Sequence, residues 1–502
     1  MVKFYAATSS EVSERELSHM QSIRNLAAEC MVLLENDGTL PLINPPRKIA
    51  LYGNGARHTV KGGTGSGDVN SREVIPIEQG FETAGFTVTT KKWLGDFQRR
   101  VENAKKAYAD KLEAVKREQG EGASVLYYLG NPFKEPHVQA ITSADHQESD
   151  TDTAIYVLAR NSGEGKDRTN AEGDYLLAEE ELEAIRFLAK AYAKCIVLLN
   201  IGGVVDTTEL RKIQGINAIL LIGQLGNVSG YAVTDALLGK TIPSGKLTDT
   251  WAASYSDYPS SETFSHINGN VDDEYYTEGI YIGYRYFDTF NITPNYCFGY
   301  GKSYTAFSIQ TLDVTADGEQ IMVTAEVENI GKLHPGREVV QVYTSAPAGA
   351  LEKPYQELAA FAKTKLLAPG EKEVLRISFP VRAMASYSER EAAWILEAGL
   401  YYVRVGNHSR NTQVEAALSL PEAVKTVQLK NLFRDTEELK EITQDVSPYS
   451  YSSEAVEKEM AKVMVLDSSQ FICETAEYQK HRPLLREHAP ESENYDGGCK
   501  ES

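Results

Sequence analysis

Paired cysteines are missing from this chain of 502 residues. The cysteines are odd in number, lie far apart and form no Cys-x-x-Cys pair; they are Cys30, Cys195, Cys297, Cys473 and Cys499. Disulfide frameworks and zinc sites both depend on cysteines at short, regular spacing. We therefore expect neither a disulfide framework nor a zinc site.

Long apolar runs and an excess of positive charge are also missing. The first ten residues lack the apolar core of a signal peptide, and no run approaches the roughly 18 apolar residues that predict a membrane-spanning helix. The 51 basic and 71 acidic residues leave a net charge of −20, which argues against nucleic acids and membranes as partners. We expect a cytoplasmic protein whose ligand is neutral or cationic.

Complete nucleotide-binding motifs are absent as well. The first predicted strand, Lys48–Tyr52, ends at Gly53-Asn-Gly55, but His58 replaces the third glycine of a dinucleotide fingerprint and no helix pattern follows. The glycine-rich run 62–67 has no following Lys-Ser or Lys-Thr pair, so it is not a P-loop. Its glycines allow close backbone approach, which suits a loop beside a sugar as well as one around phosphate. We expect no cofactor.

The sequence from about residue 73 to 260 alternates helix and strand patterns. Short apolar runs at 154–158, 195–199 and 218–222 predict buried strands, and the segments 182–192 and 229–238 predict amphipathic helices. This alternation is typical of a mostly parallel sheet with helices on both faces. We assign residues 48–260 to this open α/β sandwich. Residues 1–47 are assigned to a helical lead-in, in which the helical spacing extends to about residue 35.

A second pattern follows the linker predicted at 261–301. Short alternating segments separated by turn formers predict an antiparallel β-sandwich over residues 302–418; they are 321–328, 338–343, 375–379 and 401–405. The tail at 419–502 is predicted to form a connector with short helices at 437–443 and 454–466, and a disordered end from 491.

One glutamate in the α/β region stands out as a candidate acid. The run Ala154–Leu158 reads as a buried strand, and the Ser162-Gly-Glu-Gly165 turn follows its carboxyl end. Open α/β sheets bind their ligands at that edge. Glu164 lies between two glycines and has little local role in a helix or strand, which favours a chemical role.

The motifs that surround this glutamate share an order along the chain. They are Gly62–Asp68, Ser162–Arg168, Pro243–Leu247, Glu278–Asp288 and Phe298–Tyr304. Together, over roughly residues 20 to 410, they resemble the second domain of glycoside hydrolase family 3, the β-glucosidase family. The predicted β-sandwich is similar to the fibronectin type III-like domain of the same family.

The resemblance implies roles for two side chains. Glu164 aligns with the family's acid/base glutamate, which protonates the leaving oxygen and later activates water. Ser66 corresponds to a serine that contacts the bound sugar, although a serine in a flexible surface turn is an alternative interpretation. Hydrolysis with retention needs two carboxyl groups about 5 to 5.5 Å apart. The implied reaction is β-glucosidase-like hydrolysis of O-glycosidic bonds.

The second carboxyl group is expected to lie outside this chain. In the resembled family the nucleophile lies on a (β/α)8 barrel within a Ser-Asp-Trp-like motif, but Ser256-Asp-Tyr258 falls in the part that matches the second domain. Too few elements precede Glu164 for a barrel of about 250 residues. A circularly permuted group carries its barrel after the sandwich, and residues 465–479 look like its connector. We expect little or no activity from the chain alone.

Several alternatives remain at this point. The chain is interpreted as a split subunit, a truncated product or a retired enzyme, and its candidate partners are a β-glycoside or other carbohydrate, a separate barrel subunit and a second copy. The competing function is a non-catalytic sugar-binding or scaffold protein. The stretch Gly223–Gly230 departs from the family, which commonly has an acid there. Arg160, Lys166 and Arg168 are predicted to favour the ionised form of Glu164 if they lie close.

Overall fold

The computed structural model describes residues 11–45, 47–65, 67–131, 133–162, 167–265, 269–270, 272–432, 439–444 and 454–475. Within these ranges the first half of the chain builds a six-stranded sheet flanked by helices, and the second half builds smaller sheets of mostly antiparallel strands. The predicted fold class is therefore confirmed.

The six-stranded sheet is mostly parallel. Its strands are β1 (Val32–Asn36), β2 (Lys48–Tyr52), β3 (Thr87–Val88), β4 (Thr153–Arg160), β5 (Lys194–Ile201) and β6 (Ala218–Leu221). They lie in the order β1-β6-β5-β4-β2-β3, and only β1 runs antiparallel to its neighbour. Every residue of β4 is buried. Strands that are covered on both faces have continuous apolar sequences, which is the pattern seen in this chain.

Nine helices accompany the sheet in the described part of the first 300 residues. They are α1 (Glu14–Ala27), α2 (Ile77–Thr83), α3 (Lys91–Gln119), α4 (Glu121–Gly130), α5 (Ser143–Ser149), α6 (Glu179–Ala191), α7 (Thr208–Lys212), α8 (Ser229–Leu237) and α9 (Tyr284–Thr289). No helix in the described ranges combines the length and the apolar character needed to cross a membrane.

The lead-in differs from its helical prediction. Helix α1 ends at Ala27, and the apolar run after it forms β1, which pairs with β6 from Val32 opposite Leu221. A free sheet edge stabilises a short apolar run as a strand, and helical spacing alone does not reveal that edge. The predicted apolar stripe of α1 is also largely exposed: Leu17, Ile23 and Leu26 have exposed fractions of 57%, 48% and 60%.

The second half forms a β-sandwich. Its strands are β7 (Phe307–Asp317), β8 (Gln320–Asn329), β9 (Val339–Ser345), β10 (Glu357–Lys363), β11 (Lys372–Pro380), β12 (Ser386–Ser388), β13 (Ala393–Leu396), β14 (Gly399–His408), β15 (Asn411–Leu420) and β16 (Val424–Gln428). The two main sheets have the orders β10-β9-β14-β15 and β11-β8-β7. Alternate residues of β8 and β11 point into an apolar core, as the sequence pattern predicted.

The described elements of the tail differ from the predicted ones. Helix α10 (Glu454–Met460) ends early, and β17 (Lys462–Val465) adds a parallel strand beside β15 where a continued helix was predicted. Residues 439–444 form no helix, and residues from 491 onward lie outside the described ranges. The buried Arg404 holds α10 through Glu454, with Nη1–Oε1 and Nη2–Oε2 distances of 2.7 and 2.9 Å.

Candidate functional site

The carboxyl edge of the six-stranded sheet contains a topological switch point. After β2 the chain continues to β3 on one side, and β4 pairs with the other side of β2. The loops that leave β2 and β4 therefore diverge over a crevice. Open α/β sheets bind ligands at such a point.

A tight turn closes the floor of this crevice. Gly53 has a φ of +89°, and a Cβ built on it would lie 2.3 Å from the carbonyl oxygen of Val157. The Asn54 side chain donates to the Ala159 carbonyl at 3.0 Å and accepts from the Ala159 amide at 2.8 Å. Close packing of β2 against β4 thus explains the Gly-Asn-Gly sequence without a nucleotide-binding role.

The glycine-rich loop and the loop after β4 meet at this edge. The Thr64 amide donates to the Ser162 carbonyl at 3.3 Å. The fully buried Asn200, near the end of β5, accepts from the Val60 amide at 2.6 Å. Its Nδ2 donates to the carbonyls of Val60 at 3.0 Å and Gly223 at 2.7 Å. Three loops that are distant in sequence are therefore fixed side by side.

The two predicted site residues, Glu164 and Ser66, lie outside the described residues. Their roles stay predictions. The described residues on either side of the glutamate are Ser162 and Asp167, and Ser162 lines the same cavity as Thr64 of the glycine-rich loop. The described parts of these two loops thus border one cavity.

The cavity between these loops and the segment after α4 has a volume of about 380 Å³. Among the described residues its wall carries three acids, two arginines and one histidine; they are Glu135, Asp174, Glu181, Arg160, Arg168 and His137. Such a polar wall suits a neutral, hydroxyl-rich ligand.

Both arginines of the described wall are paired with carboxylates. Arg160 Nη1 donates to Glu181 Oε1 at 2.8 Å, and a second contact joins Nη2 to Oε2. Both side chains are more than nine-tenths buried. Glu181 also accepts from the Ala178 amide at 2.9 Å, so this glutamate caps α6 as well as neutralising the arginine.

Arg168 holds the loop that follows the candidate acid. Its Nε donates to Asp174 Oδ1 at 2.8 Å, and Nη1 and Nη2 donate to the carbonyls of Val204 at 2.6 Å and Asp174 at 2.8 Å. Desolvation opposes ionisation of Asp174, but hydrogen bonds from Arg168 and Thr169 outweigh it and lower its pKa. Each arginine is therefore already balanced by a carboxylate, while the effect of both on Glu164 stays a prediction because that glutamate lies outside the described residues. Lys166 lies outside the described residues.

The stretch that departs from the family borders the same edge. A Cβ built on Gly202 would lie 2.1 Å from Ser162 Oγ and 2.7 Å from Gln224 Nε2, so both side chains crowd this glycine. Gln224 Nε2 is buried and has no hydrogen-bond partner in the described structure. An amide donor therefore occupies the position after β6, where the resemblance implied an acid.

Sequence reasoning missed several residues that build the site. Asn54 and Asn200 each lie at a strand's carboxyl end, and a polar residue directly after or within a buried apolar run was the available signal. Glu181 directly precedes the predicted helix at 182–192, and Glu135 lies between predicted elements, so neither position carried a signal for a site. Among the described residues, no three His, Cys, Asp or Glu side chains cluster as a metal site.

Comparison with known proteins gives matches over most of the chain. The family model described as "Glycosyl hydrolase family 3 C-terminal domain" matches residues 31–284, and the model "Fibronectin type III-like domain" matches residues 338–409. The beta-glucosidase A of Butyrivibrio fibrisolvens is 35% identical over 443 residues, covering 79% of this chain and 50% of the relative. The beta-glucosidase of Ruminococcus albus is 32% identical over 448 residues, covering 88% and 45%.

Solved structures agree with this assignment. Beta-glucosidase 3B of Thermotoga neapolitana in complex with glucose is 38% identical, with a TM-score of 0.69, over 82% of this chain and 55% of that one. A beta-glucosidase of Paenibacillus barengoltzii is 34% identical, with a TM-score of 0.70, over 82% and 44%. The chain spans about half the length of the relatives it matches. The family model, the identity and the shared fold together show that the chain belongs to glycoside hydrolase family 3.

Proposed function

We propose that the chain supplies the acid/base half of a retaining β-glucosidase-like active site, in which a separate barrel carries the nucleophile. The observation that carries the proposal is the contact between the glycine-rich loop and the loop after β4, through the Thr64 amide and the Ser162 carbonyl, at the sheet's switch point. Glu164 belongs to the second of these loops. A ligand bound at this edge would lie within reach of both.

In the proposed reaction Glu164 acts twice. It first gives its proton to the glycosidic oxygen while the bond from that oxygen to the anomeric carbon breaks and the barrel carboxylate bonds to that carbon. The resulting Glu164 carboxylate then takes a proton from water as the water oxygen attacks the anomeric carbon. The barrel carboxylate leaves, and the sugar keeps its configuration. Ser66 is assigned to sugar binding.

The protonation of Glu164 depends on completing the site. A general acid must hold its proton near neutral pH, and a second carboxylate about 5 Å away disfavours its ionised form. The described arginines beside the loop do not oppose this effect strongly, because Glu181 and Asp174 balance them. We therefore expect efficient catalysis only when the second carboxylate is supplied.

The surface beside this edge supports a covering partner. Helix α1 leaves Leu17, Ile23 and Leu26 exposed, and its Glu16 binds Arg72, near the glycine-rich loop, at 3.0 Å. Exposed apolar stripes of this kind commonly mark protein interfaces. A chain of about half the relatives' length also leaves room for such a partner.

The test uses the chain mixed with a barrel-bearing polypeptide of the family and two substrates that differ in leaving group. Glu164→Ala should lower kcat/KM for cellobiose by about 100-fold or more, because its leaving group needs protonation. The rate of the first step of dinitrophenyl β-D-glucoside hydrolysis should fall far less. Added azide should restore turnover of that substrate and give the β-configured glucosyl azide, because azide attacks without a general base.

The matched control is Glu172→Ala, an exposed glutamate of the same loop region that does not line the cavity. It should retain the activity of the unmodified chain on both substrates. Equal losses on both substrates without azide rescue would remove Glu164 from the proposed role. A non-catalytic scaffold would show no turnover in any mixture.

A further inference from the structure

The segment that follows the α3–α4 hairpin forms the cavity wall opposite the loop after β4. Phe133, Glu135 and His137 line the cavity that Ser162 and Thr64 line from the other side. Resting on the proposed function, we propose that Glu135 binds hydroxyl groups of the leaving-group sugar and so gives the enzyme a preference for disaccharides over aryl glucosides.

This wall is held firmly by its neighbours. The Gln139 side chain donates to the Trp93 carbonyl at 2.8 Å, and Trp93 Nε1 donates to the Ala140 carbonyl at 3.3 Å. The ring of Phe133 packs against Tyr108, with centroids 5.7 Å apart, and the Tyr108 hydroxyl donates to the Asn131 carbonyl at 2.7 Å. The segment is therefore pre-organised, so that little conformational entropy is lost there when a ligand binds.

Glu135 differs from the other two acids of the cavity. Asp174 is paired with Arg168, and Glu181 with Arg160. No hydrogen bond or ion pair joins Glu135 to any described residue, although its carboxylate is near enough to feel the charges of Lys105 and Arg160. Among the described acids of the cavity, Glu135 is the one whose acceptor oxygens remain open to a ligand.

The surroundings of Glu135 strengthen its value as an acceptor. The side chain is accessible to solvent, yet the protein around it desolvates the carboxyl group and raises its pKa. A carboxylate in such a concave, partly desolvated position gains more from accepting two sugar hydroxyls than one on an open surface does. Phe133 beside it offers an apolar surface for the face of the sugar ring.

The chemistry of retention assigns this wall to the leaving group. The acid lies beside the glycosidic oxygen, and the nucleophile attacks from the opposite face of the sugar that is held by the barrel. In the proposed complex the leaving-group sugar therefore lies on the side of the glycosidic oxygen that faces this chain. A leaving sugar presents hydroxyls to Glu135, whereas a nitrophenyl leaving group presents none.

The first experiment compares substrates in the mixture of this chain with the barrel polypeptide. Glu135→Gln should lower kcat/KM for cellobiose by about tenfold, mainly through KM, and change kcat/KM for nitrophenyl β-D-glucoside by less than about twofold. Glu148→Gln, an exposed glutamate on α5 that does not line the cavity, serves as the matched control and should change neither value. Equal effects of Glu135→Gln on both substrates, or no effect on cellobiose, would overturn the proposal.

The second experiment tests binding without catalysis. Saturation-transfer NMR of cellobiose with the full chain alone should show saturable transfer that Glu135→Ala abolishes and Glu148→Ala retains. Absence of transfer, or transfer that persists in Glu135→Ala, would contradict the binding site. If transfer follows Glu135 but no mixture with a barrel turns over substrate, the proposed function fails while this sugar site stands.

Discussion

The carboxyl edge of the sheet and the joint between the two domains differ in whether their buried side-chain nitrogens are paired. At the joint, Lys246 Nζ lies 2.7 Å from Glu338 Oε1, and Arg410 binds Asp288 and donates to the Phe287 carbonyl at 2.7 Å. At the sheet edge, Arg160 Nε and Gln224 Nε2 are buried, and neither has a hydrogen-bond partner in the described structure.

The difference concerns side-chain nitrogens, because two oxygen atoms at the joint, Gln356 Oε1 and Ser409 Oγ, are also buried without a partner in the described structure. A buried donor without an acceptor costs about 1 to 3 kcal/mol, so such groups are rare unless a ligand or partner uses them. The joint satisfies its charges within the chain, and substitutions there should appear as lost stability. The sheet edge leaves donors beside a cavity, and substitutions there should appear mainly in binding and turnover.

The largest effect on stability is expected where the tail is held to the β-sandwich. Arg404 is fully buried, donates from Nε to Ser345 Oγ at 2.7 Å and pairs with Glu454. Arg404→Ala leaves Glu454 with Lys458 as its only described cation, at the longer distance of 3.5 Å, and should lower the free energy of unfolding by about 3 to 5 kcal/mol in chemical denaturation.

The double variant Arg404→Met, Glu454→Leu removes both charges together and is the matched control. It should lose much less stability than Arg404→Ala, because no uncompensated buried charge remains. An Arg404→Ala chain as stable as the unmodified one would show that this ion pair does not fix the tail.

A smaller, pH-dependent effect is expected at His408 in the joint. Its Nδ1 accepts from the Arg410 amide and lies 3.2 Å from Cys297 Sγ, while desolvation and then Lys246 lower the pKa from 6.5 to about 4. Below pH 6.5 the His408 imidazole binds a proton in the unfolded chain but stays neutral in the folded chain until the pH approaches 4. Stability is therefore lost as the pH falls from 6.5 to 4, by on the order of 3 kcal/mol.

The matched variant for this prediction is His408→Asn, whose side-chain oxygen keeps an acceptor but does not titrate. Denaturation curves across the same pH range should show a shallower loss for the variant than for the unmodified chain. Parallel losses in the two proteins would assign the pH dependence to other groups.

The smallest of these effects is expected at the sheet edge itself. Asn200→Ala removes the three hydrogen bonds that hold Val60 and Gly223, and should cost about 1 to 3 kcal/mol locally. Hydrogen exchange of the Val60 amide should accelerate as the glycine-rich loop loosens.

Asn217→Ala provides the control at the opposite edge of the same sheet. Asn217 Oδ1 accepts from the Cys195 amide at 2.7 Å, far along the strands from Val60. This variant should destabilise its own edge and leave exchange at Val60 unchanged. Equal exchange at Val60 in both variants would contradict the clamping role of Asn200.

The sequence predicted the strands of the sheet because burial on both faces leaves a direct trace. The runs around Ile155, Val197 and Leu220 are apolar without alternation, and each became a central parallel strand. The alternating residues of β8 likewise predicted its place on a sandwich face. Where one local pattern determines burial, the prediction was confirmed.

The remaining features depend on contacts between distant segments. Nothing in the residues near Val32 reveals that β6 offers a free edge, and nothing near Glu181 reveals Arg160. The position of Glu135 in the cavity depends on how the segment after the helical hairpin packs against α3, through contacts such as that between Gln139 and Trp93. Motif resemblance pointed to the loop after β4, and the pairing of Arg160 and Arg168 with carboxylates beside that loop became visible only in the structure.

In the proposed function, one active site is divided between two polypeptides. The decisive measurement is the rate of cellobiose hydrolysis by this chain, by a barrel polypeptide and by their mixture, each with and without Glu164→Gln. We predict turnover in the mixture alone and a loss of about 100-fold or more in kcat/KM with the variant. Turnover by this chain alone at the rate of the mixture, or an unchanged rate with Glu164→Gln, would contradict the account.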